Sequence, residues 1–355
     1  MMSRFFSDKY RSLTPYTPGE QPKERKYIKL NTNENPYPPS PLSIRYAAKA
    51  AENLNLYSDP ECTALTARFA ELYGIGTDEV IFTNGSDEAL NFAFMAFCDS
   101  KHPAAFADIT YGFYLVFAAV NNVPYTEIPL ADDLRIRVED YLGINKTIFI
   151  ANPNAPTGRA LPLCDIERIL RSNPDNIVVI DEAYADFAEE SAVGLIDRYD
   201  NLVVTQTFSK SRSLAGGRLG MAIACPDLIR DLNTIKYSTN PYNVNAVTQA
   251  AGLGCLMDEA YTRANVSAII ANRAVLSEGL VSLGFDVIPS WTNFVFAKHP
   301  TLSGELIYTA LRERGVLVRH FNLARIRDYN RITVGTTEEV AAVLKAIKEI
   351  TEENA

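Results

Sequence analysis

Four consecutive β-branched residues, Ile177-Val178-Val179-Ile180, run directly into an acid, Asp181. Such residues are stiff at χ1 and favour strands. A strand that is apolar at every position has no solvent face and belongs in a sheet covered on both sides. Thr147-Ile148-Phe149-Ile150 and Leu202-Val203-Val204 read the same way, and Val80-Ile81-Phe82 is strand-like. Helical stretches lie between them. One spans Ser86–Phe97, with Ser86 read as N-cap and two acids in its first turn; another opens at Pro162. Strands alternating with helices imply an α/β fold, with a mostly parallel central sheet flanked by helices.

At 355 residues the chain exceeds the roughly 250–300 residues at which one core stops growing, so two domains are expected. Residues 1–41 hold prolines 15, 18, 22, 36, 38, 39 and 41 and read as an extended N-terminal arm. Helical periodicity starts near Ser43, and Leu65, Phe69 and Leu72 share one helix face. The large domain is placed at 42–260, with 243–283 largely helical. From 261 to 355 the pattern changes to a smaller α+β domain. Its short strands are Phe285–Ile288, Asn293–Ala297, Val316–Val318 and Arg331–Val334, with a helix from about Leu302 to Arg314. Thr336 with Glu339 three residues on is a capping box for a final helix.

Several function classes are disfavoured. A net charge of −9 argues against a nucleic-acid footprint. The cysteines (62, 98, 164, 225, 255) are odd in number and form no CxxC pair, which supports neither a disulfide framework nor a zinc site and fits a reducing cytoplasm. The three histidines (102, 299, 320) lack metal-ligand spacing. The N-terminus lacks a secretory apolar region, and no apolar run reaches membrane-spanning length.

In an open α/β sheet, ligands bind beyond the carboxyl ends of the strands. The polar residues at those ends are therefore read together. Gly85-Ser86-Asp87 opens a helix, whose N-terminal amides suit a phosphate. Tyr111 could stack on a flat ring. Asn154 lies in the turn Asn152–Gly158, whose prolines and glycine fix the backbone. Asp181 has no Lys or Arg nearby in sequence, since none occurs from 172 to 197, so a cationic ligand or a distant arginine must partner it. Tyr184 follows. Lys210 lies between Ser209 and Ser211, with Arg218 eight positions on after a Gly-Gly pair. A lysine becomes a nucleophile toward carbonyls when burial or cationic neighbours lower its pKa. A lysine, an acid for a ring nitrogen, an asparagine and tyrosine for a phenolic oxygen, and phosphate donors together describe a pyridoxal phosphate site.

In this order the residues resemble the fold-type I aminotransferases of class I/II across nearly the whole chain. The most specific matches are Asn152–Gly158, Asp181-Glu182-Ala183-Tyr184, and Ser209-Lys210 with Arg218. Within that group, residues 14–22, 31–39 and 241–245, with Gly315–Arg319 and Arg331–Thr336, look like the histidinol-phosphate aminotransferases. Ile109, Ser58 and Gly217 depart mildly from the pattern. The resemblance implies amino-group transfer between histidinol phosphate and 2-oxoglutarate or glutamate, through a Schiff base of pyridoxal phosphate on Lys210. It assigns Asp181 to the pyridine nitrogen, Asn154 and Tyr184 to the phenolic oxygen, and Tyr111 to stacking. Gly85, Ser86, Asp87, Ser209 and Arg218 would hold the phosphate, joined by Tyr57 of a second subunit in a homodimer. Arg319 and Arg331 would bind the substrate's anionic end, with Tyr16 and Asn243 closing the pocket. Alternatives are an aromatic or broad-range aminotransferase, a lyase similar to threonine-phosphate decarboxylase, and a non-enzymatic cofactor-sensing regulator, which the charge and the lack of a basic DNA-binding region disfavour.

Overall fold

The computed structural model describes residues 3–11, 13–15, 19–22 and 24–354. Its main layer is a seven-stranded sheet. In spatial order the strands are Val80–Asn84, Leu219–Ala224, Leu202–Thr207, Val178–Asp181, Thr147–Ala151, Ala104–Ala107 and Tyr125–Ile128. All neighbours pair in parallel except at Leu219–Ala224, which runs antiparallel to both of its neighbours. The mostly parallel sheet expected from the apolar runs is therefore present.

The apolar runs are buried on both faces, as their composition requires. Ile148, Ile150, Val178, Ile180, Leu202 and Val204 pack on one face with Phe69, Ile166 and Ile169. Phe149, Val179 and Val203 pack on the other with Phe94, Phe106 and Tyr114. Alternate residues of one strand thus feed two cores. Each fully buried side chain of this kind contributes about 1.5–3 kcal/mol.

Apart from Ile28–Lys29, the remaining strands lie toward the C-terminus. Arg319–His320, Tyr329–Thr333, Phe294–Lys298 and Asp286–Ile288 form an antiparallel sheet in that order. Phe294 and Val295 join Ile269, Leu276 and Leu280 of helix Glu259–Ser282 and Val340, Val343 and Ile347 of helix Thr337–Glu353 in one core. The capping box at Thr336 and Glu339 is present in both directions. Among the described residues, no helix is long and apolar enough to cross a membrane.

Several sequence expectations need adjustment. The strand expected at 316–318 is present as Val316–Leu317, but the chain changes sheets just after it. Val316–Leu317 pairs in parallel with Ile28–Lys29, while Arg319–His320 turns to the antiparallel sheet. The proline-rich N-terminus is consequently not all free: Leu30, Asn31 and Asn33 are buried. Strands Ala104–Ala107 and Leu219–Ala224 escaped the sequence reading, because alanine- and glycine-containing runs such as Leu219-Gly220-Met221-Ala222 carry weak strand propensity; the short strand Tyr125–Ile128, largely exposed at the sheet edge, was also missed. The N-cap of helix Ser86–Phe97 is Gly85, with φ +78, and not Ser86. Glycine adopts that backbone without a Cβ penalty.

Gly220 is the tightest backbone approach in this region. A Cβ there would sit 2.3 Å from Ser86 N and 2.4 Å from Gly85 C. Neither backbone atom can move without displacing the helix start. Gly220→Ala is expected to destabilise the protein by about 1–3 kcal/mol, read as a lowered urea midpoint; an unchanged midpoint would show that this contact is not tight.

Candidate active site

The carboxyl ends of the central strands converge on a cavity of about 110 Å³. Register explains why. Asp181 is the last residue of its strand and lies opposite Ala151 on one side and Thr205 on the other. The chain then leaves each strand end into the cavity wall: Pro153 and Ala155, Ala183 and Tyr184, Thr207, Ser209 and Lys210. Ser86, Asp87, Tyr111 and Arg218 complete the lining.

Asp181 is buried, at 5% exposure. Its Oδ2 accepts from the Tyr114 hydroxyl at 2.9 Å and its Oδ1 from Thr205 Oγ1 at 3.3 Å. Burial pushes its carboxyl up to about 6, the nearby Asp87 adds to the rise, and the Tyr114 and Thr205 hydrogen bonds oppose it. No arginine or lysine among the described residues forms an ion pair with it. Tyr114 was not singled out in the sequence. Its placement three residues after Tyr111, at the start of helix Phe113–Asn121, was the available signal.

Lys210 follows the strand Leu202–Thr207 and the buried Phe208. Its Nζ donates to Thr32 O at 3.4 Å and lies 5.9 Å from the Tyr184 ring centre. Burial lowers its pKa to about 8; Arg331 and Arg218 push the same way, against Glu34 and Asp87. The backbone here is clamped. Asn35 Nδ2 donates to the carbonyls of Lys210 (2.9 Å) and Ser211 (3.0 Å). Arg212, the next residue, pairs with Glu259 at 2.5 Å, both largely buried.

Arg218 holds φ +54, an unusual backbone for a non-glycine residue, and one that tends to occur at ligand clamps. Its Nη2 is 3.1 Å from Asp87 Oδ2, and its Nη1 donates to Ser209 Oγ at 3.4 Å. Asp87 also accepts from Tyr111 OH at 2.6 Å. Gly85 is needed again: a Cβ there would lie 2.5 Å from Arg218 Nη2. Guanidinium, hydroxyl and a helix N-terminus therefore meet at one corner of the cavity.

The other expected residues fall in different places. Arg319 and Arg331 are direct cross-strand partners in the antiparallel sheet. Arg331 Nη2 donates to Asn31 O at 3.1 Å, and its charge reaches both Lys210 and Tyr184. Asn154 is buried at the wall, but its amide is engaged elsewhere: Nδ2 donates to Ile109 O and Thr157 Oγ1, and Oδ1 accepts from Thr110. It lines a second cavity of about 550 Å³ and not the smaller one. Asn243 donates to Glu88 Oε2 at 2.5 Å, also outside the lining. Tyr57 is 84% exposed and stacks on Tyr242 at 4.6 Å. Tyr16 lies outside the described residues. Glu182, beside Asp181, faces away from the cavity, where it accepts from Ala192 N, Ser191 Oγ and Gln206 Nε2 and braces the turn Ala192–Leu195.

The arrangement gathers a buried amine with a lowered pKa, a buried acid with no ion-pair partner among the described residues, and a guanidinium beside a helix N-terminus around one small cavity. Comparisons with known proteins point the same way. A profile of the family described as aminotransferase class I and II matches residues 25–347. The histidinol-phosphate aminotransferase of Marinomonas sp. (strain MWYL1) is 50% identical over 351 residues, 98% of this chain and 99% of that protein. That of Acetobacter pasteurianus is 47% identical over 351 residues, 98% of each chain. The solved histidinol-phosphate aminotransferase of Sinorhizobium meliloti, in complex with pyridoxal-5'-phosphate, superposes with a TM-score of 0.91 at 22% identity, covering 100% of this chain and 99% of that one. At that identity it speaks for the fold alone.

Asp181 gives a pH signature. Its folded pKa, about 6, lies above the ordinary 3.8. Its favourable contribution is therefore complete below the lower value and is lost as pH rises through the higher one. In the cofactor-free protein, Asp181→Asn should gain stability over wild type between pH 4 and 7, by on the order of 3 kcal/mol. Urea midpoints across that range test this; a constant difference would rule out the raised carboxyl.

Proposed function

This chain belongs to the aminotransferase class I and II family, and from that premise we propose that it moves an amino group between histidinol phosphate and 2-oxoglutarate, with pyridoxal phosphate as cofactor, in histidine biosynthesis. The observation that carries this reading is Lys210 held near pKa 8 in the same cavity as a cation-free Asp181, with two paired arginines nearby.

The residues fit the cofactor. A buried carboxylate without a cation is costly, and a protonated ring nitrogen would relieve that cost at Asp181. Arg218, Ser209 and the amides at Ser86 and Asp87 fit a phosphate, with the Asp87 carboxylate turned to Tyr111 and Arg218. Tyr111 would stack on the ring, and Tyr184, with its pKa raised by burial, stays a neutral donor for the phenolic oxygen. Asn154 would join Tyr184 only by exchanging one of its present partners. When bound, pyridoxal phosphate supplies a carbonyl carbon for amine exchange and a ring that accepts electrons.

Lys210 then acts as base and acid. Its Nζ, neutral above about pH 8, would take the proton from the amine-bearing carbon of the substrate and deliver it to the cofactor's carbonyl-derived carbon. Like charges directly across a strand pair are destabilising, so Arg319 and Arg331 suit a dianion: the phosphate of histidinol phosphate, or the far carboxylate of 2-oxoglutarate. This supports one site serving both half-reactions. Asn243 and Tyr16 remain proposed substrate neighbours.

A second copy of the chain belongs to this reading. Exposed Tyr57, Leu54, Leu56 and Tyr242 form an apolar patch around residues 54–57. Covering it in a homodimer would let Tyr57 reach the other subunit's phosphate corner. The lobes are taken as 42–260 and 261–355, with residues 1–41 as the arm. Five free cysteines suit a reducing cytoplasm.

Single-turnover titration with histidinol phosphate, phenylalanine and phosphothreonine tests the substrate. Loss of the bound cofactor's visible absorbance at the lowest concentration with histidinol phosphate is expected; a lower concentration for phenylalanine would favour an aromatic aminotransferase. Lys210→Ala should cut turnover by at least about 10³-fold, and retained turnover would refute its role. Arg319→Ala should lower kcat/KM for histidinol phosphate by about 10–100-fold and for phenylalanine far less; equal losses would remove the phosphate from this arginine.

A further inference from the structure

The segment Asn31–Asn35 runs past the cavity beside Lys210, and one of its residues is built into the site without a part in the chemistry above. Asn33 is 1% exposed and holds φ +56, a left-handed backbone that asparagine tolerates better than most residues. Its N–H donates to Thr333 Oγ1 at 3.0 Å, and its carbonyl accepts from Asn293 Nδ2 at 3.0 Å. The Thr333 hydroxyl, itself buried, donates to Asn33 Oδ1 at 3.1 Å. Among the described contacts that hydroxyl has no other acceptor. Turning the Asn33 amide over would therefore orphan a buried donor, which is costly.

With Oδ1 fixed on Thr333, Nδ2 faces Tyr184 and donates to its hydroxyl oxygen at 2.8 Å. A phenol carries one proton. When its oxygen accepts from Asn33, that proton is directed elsewhere, and Tyr184 lines the cavity. We infer that Asn33 is a positioning residue that fixes the Tyr184 hydroxyl as a hydrogen-bond donor into the cavity, toward the phenolic oxygen of the bound cofactor. This rests on the pyridoxal phosphate reading of the site. Thr333 is the anchor that sets the direction of the whole relay, from the antiparallel sheet through the N-terminal segment to the large sheet.

Asn33→Asp tests it. The shape and the left-handed backbone are kept, but a donor becomes an acceptor, so the Tyr184 proton turns toward residue 33. A donor to the phenolic oxygen stabilises its anionic form, and losing it weakens that form. In the holoenzyme, the pH at which the cofactor's visible absorbance changes should rise by about one unit, and the cofactor should dissociate faster on dilution. A carboxylate also acts through its charge alone, so the substitution is repeated in Tyr184→Phe, which has no proton to turn. There the rise should be less than about half as large. Asn33→Gly, which keeps the positive φ and deletes the amide, should shift the band in the same direction, and carries the test in both backgrounds if Asn33→Asp does not fold. Equal shifts with and without the Tyr184 hydroxyl would overturn the inference while leaving the cofactor reading intact. A wild-type protein that gives no such band with pyridoxal phosphate would overturn both.

Discussion

A carboxylate sits at the end of a strand that is buried on both faces, and among the described residues no cation forms an ion pair with it. Much of the site follows from that constraint. Burial raises the Asp181 carboxyl toward 6, and hydrogen bonds from the Tyr114 and Thr205 hydroxyls and the Ala183 N–H temper the rise. Desolvation of this kind is tolerated where a ligand completes the pairing. The register that sets Asp181 between Ala151 and Thr205 also brings the turn after Ala151 and the loop carrying Lys210 to the same edge. One buried ladder thus positions an acid, an amine and the backbone around them.

The same region shows why close backbone approach matters. Leu219–Ala224 is inserted antiparallel between two strands that run the other way, and Gly220 lets it lie against the start of helix Ser86–Phe97. That contact carries Arg218 over Gly85 and into reach of Asp87 and Ser209. A larger residue at either glycine would separate the guanidinium from the helix N-terminus. The unusual φ of Arg218 is the local cost of this geometry.

The N-terminal segment links the sheets. Ile28–Lys29 pairs with Val316–Leu317, Leu30 O accepts from Thr333 N, and Asn33 and Asn35 reach Tyr184 and the Lys210 backbone. Arg331, on the smaller sheet, depresses Lys210 on the larger one. The amine's chemistry is therefore set by groups from three separate parts of the chain, and disturbing any of them alters its environment.

The sequence alone determined the class of fold and picked out several of the groups that line the cavity. Runs such as Ile177–Ile180 have no polar face, so a doubly covered sheet was their only stable setting, and Asp181 was conspicuous because the neighbouring sequence supplies it no cation. Lys210 and the helix opening at Ser86 were legible because they come just after strands, and Arg218 because it lies eight positions beyond Lys210 after a Gly-Gly pair. Tertiary structure decided what depends on long-range contact. It placed Tyr114 on Asp181, Asn33 on Tyr184 and Arg331 near Lys210, pairs separated by 67 and 151 residues in the first two cases. It turned the Asn154 and Asn243 amides toward protein partners, and it split residues 316–320 between two sheets. Local propensity and spacing carry information only over a few turns of chain. Hydrogen-bond direction and the electrostatic field at a buried amine are fixed by neighbours that the sequence does not put side by side.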